Sequence, residues 1–267
     1  MSSVRDLLQH LEAHAPFRYQ ADYDNARLIT GSPDQEITGV LCTLDSIEDT
    51  VYEAVDRGCN VIVAHHPIVF SGLKSLTGAT YIERTIIEAI RHHIAIIAVH
   101  TNLDSVHPGG VNSALAEMLG LGNGEVLRPN ASVDDSQREV GAGLIGTLGE
   151  EMDHKDFLGY VKTRLQLPVI KHTAPISRKI RRVAICGGSG SFLLEDALRH
   201  GADAFITSDY KYHQFFDADG RIVILDIGHY ESERHVITLL QRLIHDKFDN
   251  FAAHCTNLDT NPIDYYL

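Results

Sequence analysis

The stretch Val61-Ile-Val-Ala-His65-His66-Pro67, an apolar run that leads directly into two histidines, constrains the fold most. A short, continuous apolar run is typical of a strand buried on both faces, as in parallel sheets. Open α/β sheets bind their ligands beyond the carboxyl ends of such strands, which is where His65 and His66 lie. Because neighbouring side chains of a strand point to opposite faces, both histidines can serve one site only where the chain leaves the sheet. Pro67 favours that exit, since it biases His66 towards an extended conformation.

Two later stretches repeat this pattern. The apolar run 94–99 is followed by His100 and Asp104, and the run 221–227 is followed by His229 and Glu233. Apolar residues at helical spacing separate the strands, which predicts an α/β fold with a mostly parallel, doubly wound sheet and helices on both faces. Helices are predicted near residues 2–14, 48–58, 80–92, 111–119, 153–165, 192–200 and 229–247.

Residues 122–138 change character, because Gly, Asn, Pro, Ser and Asp crowd together there with little periodicity. Such a stretch is typical of a domain boundary or a long loop. A second α/β segment then starts, and the last strand and helix are predicted to return to the first unit. The predicted domains are therefore 1–124 plus 221–267, which would bind metal, and 125–220.

The composition narrows the class of function. A net charge of -13 argues against binding to nucleic acid. No stretch approaches the roughly 20 apolar residues that cross a bilayer, and the amino terminus lacks the basic and apolar segments of a signal peptide. Four cysteines without a CxxC pair indicate reduced thiols and a cytoplasmic location. Sixteen histidines point towards metal or proton chemistry.

His229 and Glu233 are four residues apart on a predicted helix and therefore share one face, whereas Glu231 points elsewhere and is predicted to be solvated. Three imidazoles and two carboxylates are thus predicted to meet in one cleft: His65, His66, Asp104, His229 and Glu233. This set exceeds the needs of one four-coordinate ion and suits zinc, manganese, iron or nickel. Two ions, one at each adjacent histidine with a carboxylate between them, would activate water for hydrolysis.

The competing interpretation is that each histidine is a packed, hydrogen-bonded core residue. The pair His92 and His93 illustrates it, since these residues close a helix and complement its dipole. The convergence of three strand ends on the same types of ligand favours the metal site.

Further motifs span the chain in order: Ala64-His65-His66-Pro67, Phe70-Ser-Gly72-Leu73-Lys74, His100-Thr-Asn-Leu-Asp104, Pro108-Gly-Gly-Val-Asn112, Cys186-Gly-Gly-Ser-Gly-Ser191, Thr207-Ser-Asp-Tyr-Lys211-Tyr-His213, Gly228-His229-Tyr-Glu-Ser-Glu233 and Thr260-Asn261-Pro262. On these motifs the chain resembles the NIF-three-like dinuclear-metal family, whose members are often called GTP cyclohydrolase I type 2 homologues. The resemblance implies that the five residues above bind two divalent metal ions per subunit, with Glu233 as the bridge. It also implies two α/β domains and a ring-shaped homohexamer. One position departs from the family pattern. A threonine is common in the family two places after the aspartate of this turn, whereas here Asp45 is followed by Ser46 and Ile47. This loop is therefore assigned no role.

Three further residues are candidates for catalysis. His100 could support a ligand or shuttle protons, or it could be a packed residue at a strand end. Lys211 and His213 could bind an anionic substrate or exchange protons, or they could be polar loop residues. The turn Gly187–Ser191 could hold an anion with its backbone N–H groups, or it could be a tight connection between strand and helix.

Two hypotheses of different class follow. The first is a metal-dependent hydrolase, GTP cyclohydrolase-like by resemblance, that acts on a nucleotide-like or phosphorylated small molecule. The second is a non-catalytic, ring-forming protein that stores or delivers metal or serves as a scaffold. An acid/base group beyond the ligands would separate the two, and only His100 and the 208–213 loop offer one.

Overall fold

The apolar runs form the central strands of two sheets in a computed structural model, which describes residues 2–131 and 139–266. The chain divides into two compact units, Met1–Leu103 with Val236–Pro262 and Asp104–His235 with Ile263–Leu267. These bounds differ from those of the predicted domains, 1–124 plus 221–267 and 125–220, which stay a prediction. The chain re-enters the first unit at Val236, after His229 and Glu233.

The first unit is built on five strands, numbered along the whole chain: β1 (Leu28–Thr30), β2 (Gly39–Thr43), β3 (Val61–Ala64), β4 (Ala95–Ala98) and β12 (Ala252–Cys255). Its helices are α1 (Val4–His14), α2 (Glu48–Asp56), α3 (Tyr81–Arg91) and α9 (Val236–His245), and the short helix α4 (Thr101–Asp104) follows β4. The strand order is β1-β4-β3-β2-β12. Strands β12, β2, β3 and β4 are parallel, and β1 pairs antiparallel with β4.

The middle strands of this sheet explain where its histidines lie. Every residue of β2, β3 and β4 is buried, because branched and small apolar side chains pack against α2 and α3 on one face of the sheet. Since β3 ends at Ala64, His65 and His66 are the first residues beyond it. His100 stands two residues beyond the end of β4, directly before α4.

The second unit contains a seven-stranded sheet. Its strands are β5 (Val106–His107), β6 (Gly122–Pro129), β7 (Glu139–Met152), β8 (Lys171–His172), β9 (Ile180–Ser189), β10 (Ala204–Ser208) and β11 (Val223–Asp226). Its helices are α5 (Val111–Met118), α6 (His154–Arg164), α7 (Leu194–Arg199) and α8 (His229–Glu233), with 3-10 turns at Ser191–Leu193 and Tyr212–Ala218. The sheet is buried on both faces, since Ile185 and Ile206 pack with α5 and α6 whereas Ala184 and Phe205 pack with α7.

The prediction of a mostly parallel sheet is wrong, because both sheets are mixed. In the second unit only β9, β10 and β11 run parallel, whereas β5, β6, β8 and β9 pair antiparallel with their neighbours β7 or β11. The antiparallel part arises where a linker is predicted, since residues 122–129 form β6 and pair with β7. Only Val126 and Leu127 of β6 are buried, so this strand has no apolar pattern to reveal it. Residues 132–138 of the predicted linker lie outside the described residues.

The predicted helix 229–247 is interrupted at residues 234–235, which separate α8 from α9. The hydroxyl of Ser232 donates to the carbonyl of His229 at 2.8 Å and accepts from the backbone N–H of Gly188 at 2.9 Å. A serine bonded back to its own helix and to a neighbouring strand competes with regular helix geometry. The break leaves His229 and Glu233 on a helix of five residues.

Two further features concern the helices and the cysteines. None of the helices in the described part of the chain combines the length and apolar character needed to cross a membrane. All four cysteines are free thiols, and three of them are buried.

Candidate metal-binding sites

Two adjacent histidines in the first unit are each held through Nδ1. The Nδ1 of His65, a fully buried residue, lies 2.8 Å from the carbonyl oxygen of Val99. The Nδ1 of His66 lies 2.7 Å from Oδ1 of Asp45, whose Oδ2 accepts from the hydroxyl of Thr260 at 2.7 Å. Burial opposes ionisation of Asp45, but the hydrogen bond and charge of His66 outweigh it and lower the pKa of this carboxyl.

His100 is held in the same way. Its Nδ1 lies 2.8 Å from Oδ1 of Asp24, and Oδ2 of Asp24 accepts from the backbone N–H and hydroxyl of Thr101. The Asp24 side chain is completely covered. Burial alone would raise its pKa, yet the hydrogen bonds from His100 and Thr101 and the charge of His100 lower the pKa to about 2. Asp24 is therefore a carboxylate with fixed partners at neutral pH.

These three histidines of the first unit form one cluster. One ring nitrogen of each, from His65, His66 and His100, lies within 4.8 Å of the others, and the ring centroids are 5.0 to 5.4 Å apart. Because carbonyl and carboxylate oxygens only accept hydrogen bonds, each Nδ1 must carry the proton. A hydrogen bond of this kind fixes the tautomer of metal-binding histidines and directs the other nitrogen at the ion. The cluster could therefore hold a metal ion through Nε2 atoms.

In the second unit, two carboxylates flank one imidazole. The Nδ1 of His229 lies 2.7 Å from Oδ2 of Asp209, and its Nε2 lies 3.0 Å from Oε2 of Glu233, one helical turn further on. Two ligand atoms at about 2.0–2.2 Å from one ion lie about 3 Å apart when they bind it at a right angle. The pair His229 and Glu233 therefore has the chemistry and the spacing of two ligands of one ion. Glu233 is buried, and a buried carboxylate requires a cationic or hydrogen-bonding partner.

Two glycines at the end of β9 make room for this carboxylate. A Cβ atom on Gly187 would lie 3.3 Å from Cγ of Glu233, and one on Gly188 would lie 2.4 Å from its Oε1. Gly188 also has a φ of +62°, in the left-handed region that favours glycine. The backbone of β9 can approach Glu233 and His229 closely only because Gly187 and Gly188 have no side chains.

The backbone N–H groups of this turn have partners within the protein. Gly187 donates to Oδ1 of Asn112, Gly188 to the hydroxyl of Ser232, and Gly190 to the hydroxyl of Thr207, each at 2.9 Å. These donors are thus engaged by side chains. Of the two predicted roles of Gly187–Ser191, the tight connection is favoured over the anion site.

Asp104 is placed near Glu233 by the same network. The amide nitrogen of Asn112 donates to the carbonyl of Asp104 at 3.1 Å, while the amide oxygen holds Gly187. Carboxylate oxygens of Asp104 and Glu233 lie within 4.8 Å of one another. Burial and these two negative charges raise the pKa of the Cys186 thiol well above its usual value. The second unit therefore brings together two carboxylates and one imidazole.

Three other residues considered in the sequence lie outside these clusters: Lys211, His213 and Glu231. Lys211 and His213 belong to none of the potential ligand clusters in residues 2–131 and 139–266, and both are exposed. The prediction that Glu231 is solvated is wrong, because this residue is buried. Burial, and then the charge and hydrogen bond of Glu231, raise the pKa of Tyr265. The assignment of His65, His66, Asp104, His229 and Glu233 as ligands of two ions stays a prediction.

The sequence reasoning missed the carboxylates that hold the histidines: Asp24, Asp45 and Asp209. Asp209 follows β10 directly and Asp45 lies two residues beyond the end of β2, so the rule that found His65 could have found them. Asp24 lies in a Tyr- and Asp-rich loop 76 residues before His100, and no spacing in the sequence connects the two.

Comparisons with known proteins cover nearly the whole chain. The family model described as Duf34/NIF3 (NGG1p interacting factor 3) matches residues 2–262. A Clostridium acetobutylicum protein named GTP cyclohydrolase 1 type 2 homolog is 29% identical over 265 residues, with 98% of this chain and 97% of that protein covered. A Clostridium perfringens protein of the same name is 32% identical over 248 residues, covering 92% of this chain and 93% of the relative.

Solved structures agree with this result. A crystal structure of a Staphylococcus aureus hypothetical protein matches with a TM-score of 0.89 and 32% identity, and 99% of each chain is covered. A Bacillus cereus protein related to NIF3 matches with a TM-score of 0.89 and 25% identity, again over 99% of each chain. The likeness therefore extends to both compact units.

Proposed function

The chain belongs to the Duf34/NIF3 family, and from this premise we propose that it is a dinuclear metal protein that hydrolyses a nucleotide-like or other phosphorylated small molecule in the cytoplasm. The observation that carries the proposal is that three imidazoles among the proposed ligands, His65, His66 and His229, are each held through Nδ1 by an oxygen acceptor. Such second partners are characteristic of metal-binding histidines. Relatives named GTP cyclohydrolase 1 type 2 homolog make GTP the first substrate to test.

The proposed ligands are His65, His66, Asp104, His229 and Glu233, and Glu233 would bridge the two ions. Imidazole nitrogen with carboxylate oxygen is a donor set that zinc, manganese, iron and nickel accept, so these residues fit divalent ions. When bound, two such ions lower the pKa of water for hydrolysis and polarise an oxygen of the substrate. The adjacent histidines would supply one nitrogen to each ion, and Asp45 and Asp209 keep the rings of His66 and His229 in place.

His100 is the group that we assign to proton transfer in the first unit. Its Nδ1 is fixed by Asp24, so Nε2 is the atom that can take up or release a proton beside His65 and His66. Asp24 keeps the ring in one orientation because its own partners hold it on both oxygens. His100 is thus the acid/base group beyond the ligands that the enzyme hypothesis requires.

The proposal is tested by metal analysis together with turnover of a panel of nucleotides and phosphoesters. His66→Ala should lose at least one ion per chain and all metal-dependent turnover, because it removes one proposed ligand. His92→Ala is the matched control, since this histidine lies exposed at the end of α3 and outside the clusters. The control should keep both the metal content and the activity of the unaltered protein.

Two results would count against the enzyme. No bound metal after reconstitution would contradict the metal site itself. Full metal content with a flat substrate panel would favour the alternative of a metal-storage or scaffold protein. We propose further that the protein is a homohexamer, which light scattering would show as six times the mass of a chain of 29.6 kDa.

A further inference from the structure

Three rings on the 3-10 helix Tyr212–Ala218 form an exposed cluster, the aromatic platform: Tyr212, His213 and Phe216. Tyr212 is 74% exposed and Phe216 is 67% exposed. The ring of Tyr212 stands edge-on to that of Phe216, with centroids 5.6 Å and planes 76° apart, and the rings of His213 and Phe216 are stacked with centroids 6.4 Å and planes 28° apart. Clustered exposed aromatic side chains mark sites of interaction with a ligand or partner.

The segment that carries the platform is anchored to the protein by Tyr210 and Gln214. Tyr210 is buried, and its ring packs against Phe215 at 5.1 Å and against Phe205 of β10 at 6.5 Å. The side chain of Gln214 accepts from the backbone N–H of Lys211 at 2.8 Å and donates to the hydroxyl of Ser191 at 3.2 Å. The segment that carries the exposed rings is therefore anchored through Tyr210 and Gln214, which reduces the entropy cost of ordering this segment on binding.

The same segment carries the residue that holds His229. Asp209 accepts from Nδ1 of His229 at 2.7 Å and has a left-handed φ of 58°, which turns the chain sharply as it leaves β10. Tyr212 is the third residue after Asp209, so their Cα atoms are at most about 11 Å apart. The platform thus lies within the length of a small ligand from the carboxylate that positions His229.

Charge gives the platform a direction. Lys211 is exposed on the side of the segment that leads to Asp209, whereas Asp217 and Asp219 follow the rings. An anionic group of a ligand is attracted to Lys211 and repelled from the acidic end. A flat ring over the platform would therefore place its anionic group at Lys211, away from Asp217 and Asp219.

We propose that the aromatic platform stacks the heteroaromatic ring of a nucleotide and that Lys211 contacts its phosphate groups. Stacking on aromatic side chains tolerates different bases because every base has a π-face, so the platform selects for a ring rather than for one base. The proposal rests on the proposed function, since it supplies the binding surface for that substrate. It gives Lys211 and His213 a role in binding.

The test compares GTP with inorganic tripolyphosphate, which has the phosphates without the ring, by calorimetric titration of the manganese-loaded full chain. Phe216→Leu should weaken GTP binding about tenfold and leave tripolyphosphate binding unchanged, because it keeps an apolar side chain but loses the ring. Phe216→Tyr should keep GTP affinity within about twofold, since a ring remains. Lys211→Gln should weaken both ligands, and Tyr266→Ala, at a fully exposed aromatic residue, should weaken neither.

Three outcomes would overturn the platform. They are equal affinity of the unaltered protein for GTP and tripolyphosphate, unchanged GTP binding by Phe216→Leu, and a smaller oligomer of that variant in light scattering with GTP affinity intact. The last outcome would assign the rings to a protein interface. If GTP binding depends on Phe216 but no GTP is turned over, only the proposed hydrolase activity is contradicted. If GTP is turned over equally by the unaltered protein and by Phe216→Leu, only the role of the platform is contradicted.

Discussion

Replacing Gly188 by alanine should abolish tight metal binding while the protein still folds. The new Cβ would lie 2.4 Å from Oε1 of Glu233, and ordinary van der Waals contact begins at 3.4 Å, so the carboxylate must retreat by 3.4 − 2.4 = 1.0 Å. Metal–ligand distances tolerate errors of only about 0.2 Å. Glu233 could not then bind an ion at the place that His229 requires.

The effect on folding should be moderate and can be separated from the effect on metal. Alanine at a φ of +62° costs about 1–2 kcal/mol, and the atom it meets is the end of a flexible side chain that can turn away. Gly201→Ala is the matched control, because Gly201 has a φ of +69° and nothing within 4 Å of its Cβ position. Both variants carry the same backbone strain, but only Gly188→Ala displaces Glu233.

Two measurements complete the test. Urea unfolding of the metal-free proteins should show equal losses of stability, about 1–2 kcal/mol, for both variants. Competition with a chelator should show zinc or manganese affinity at least about 100-fold weaker for Gly188→Ala, about 2.7 kcal/mol, and within about twofold of normal for Gly201→Ala. Normal metal affinity of Gly188→Ala, or an equal loss in both variants, would refute the placement of Glu233 as a ligand.

Three further predictions follow from single residues. Asp45→Asn should lower metal affinity about 10- to 100-fold in a calorimetric titration, because the charge that holds His66 is lost, whereas the exposed control Asp49→Asn should leave it unchanged; equal affinities would argue against the role of Asp45. The pKa of Asp24 falls in the folded state from 3.8 to about 2, since hydrogen bonds outweigh burial, so its carboxylate stabilises the fold above pH 4 and this contribution disappears as the pH falls through about 2. Asp24→Asn should therefore be less stable than the unaltered protein at pH 6, with a difference that shrinks between pH 4 and 2 in urea unfolding, and a constant difference would contradict this. Phe205→Ala, at a fully buried position of β10, should cost about 3–5 kcal/mol of unfolding free energy, and a loss below about 1 kcal/mol would show that the site collapses.

The central strands of both sheets could be predicted because continuous apolar runs encode them. Strands β3 and β4 are buried on both faces, so the sequence marks them without a pattern of alternation. Strand β6 could not be found in the same way, because most of its residues are exposed and its pairing with β7 is long-range. The second sheet has four antiparallel pairs, β5–β7, β6–β7, β7–β9 and β8–β11, and an apolar run does not encode the direction of the neighbouring strand, which explains the wrong prediction of a mostly parallel sheet.

The residues that can bind a metal could be predicted from the sequence, but the carboxylates that hold their imidazole rings were missed. His229 and Glu233 are four residues apart, and this local spacing survives in α8 although the longer predicted helix is interrupted. The burial of Glu231 and the pairing of Asp24 with His100 depend on chain segments that are distant in sequence. Local periodicity contains no information about such contacts.

Anomalous diffraction from crystals grown with manganese or zinc would show directly whether the chain holds two divalent ions. Two peaks per chain are expected at about 2.0–2.3 Å from their ligand atoms. One peak should lie next to His65 and the other next to His66, and Asp104, His229 and Glu233 should complete the two coordination shells. A chain without peaks, or with a single peak, would contradict the assignment of these five residues as ligands of two ions.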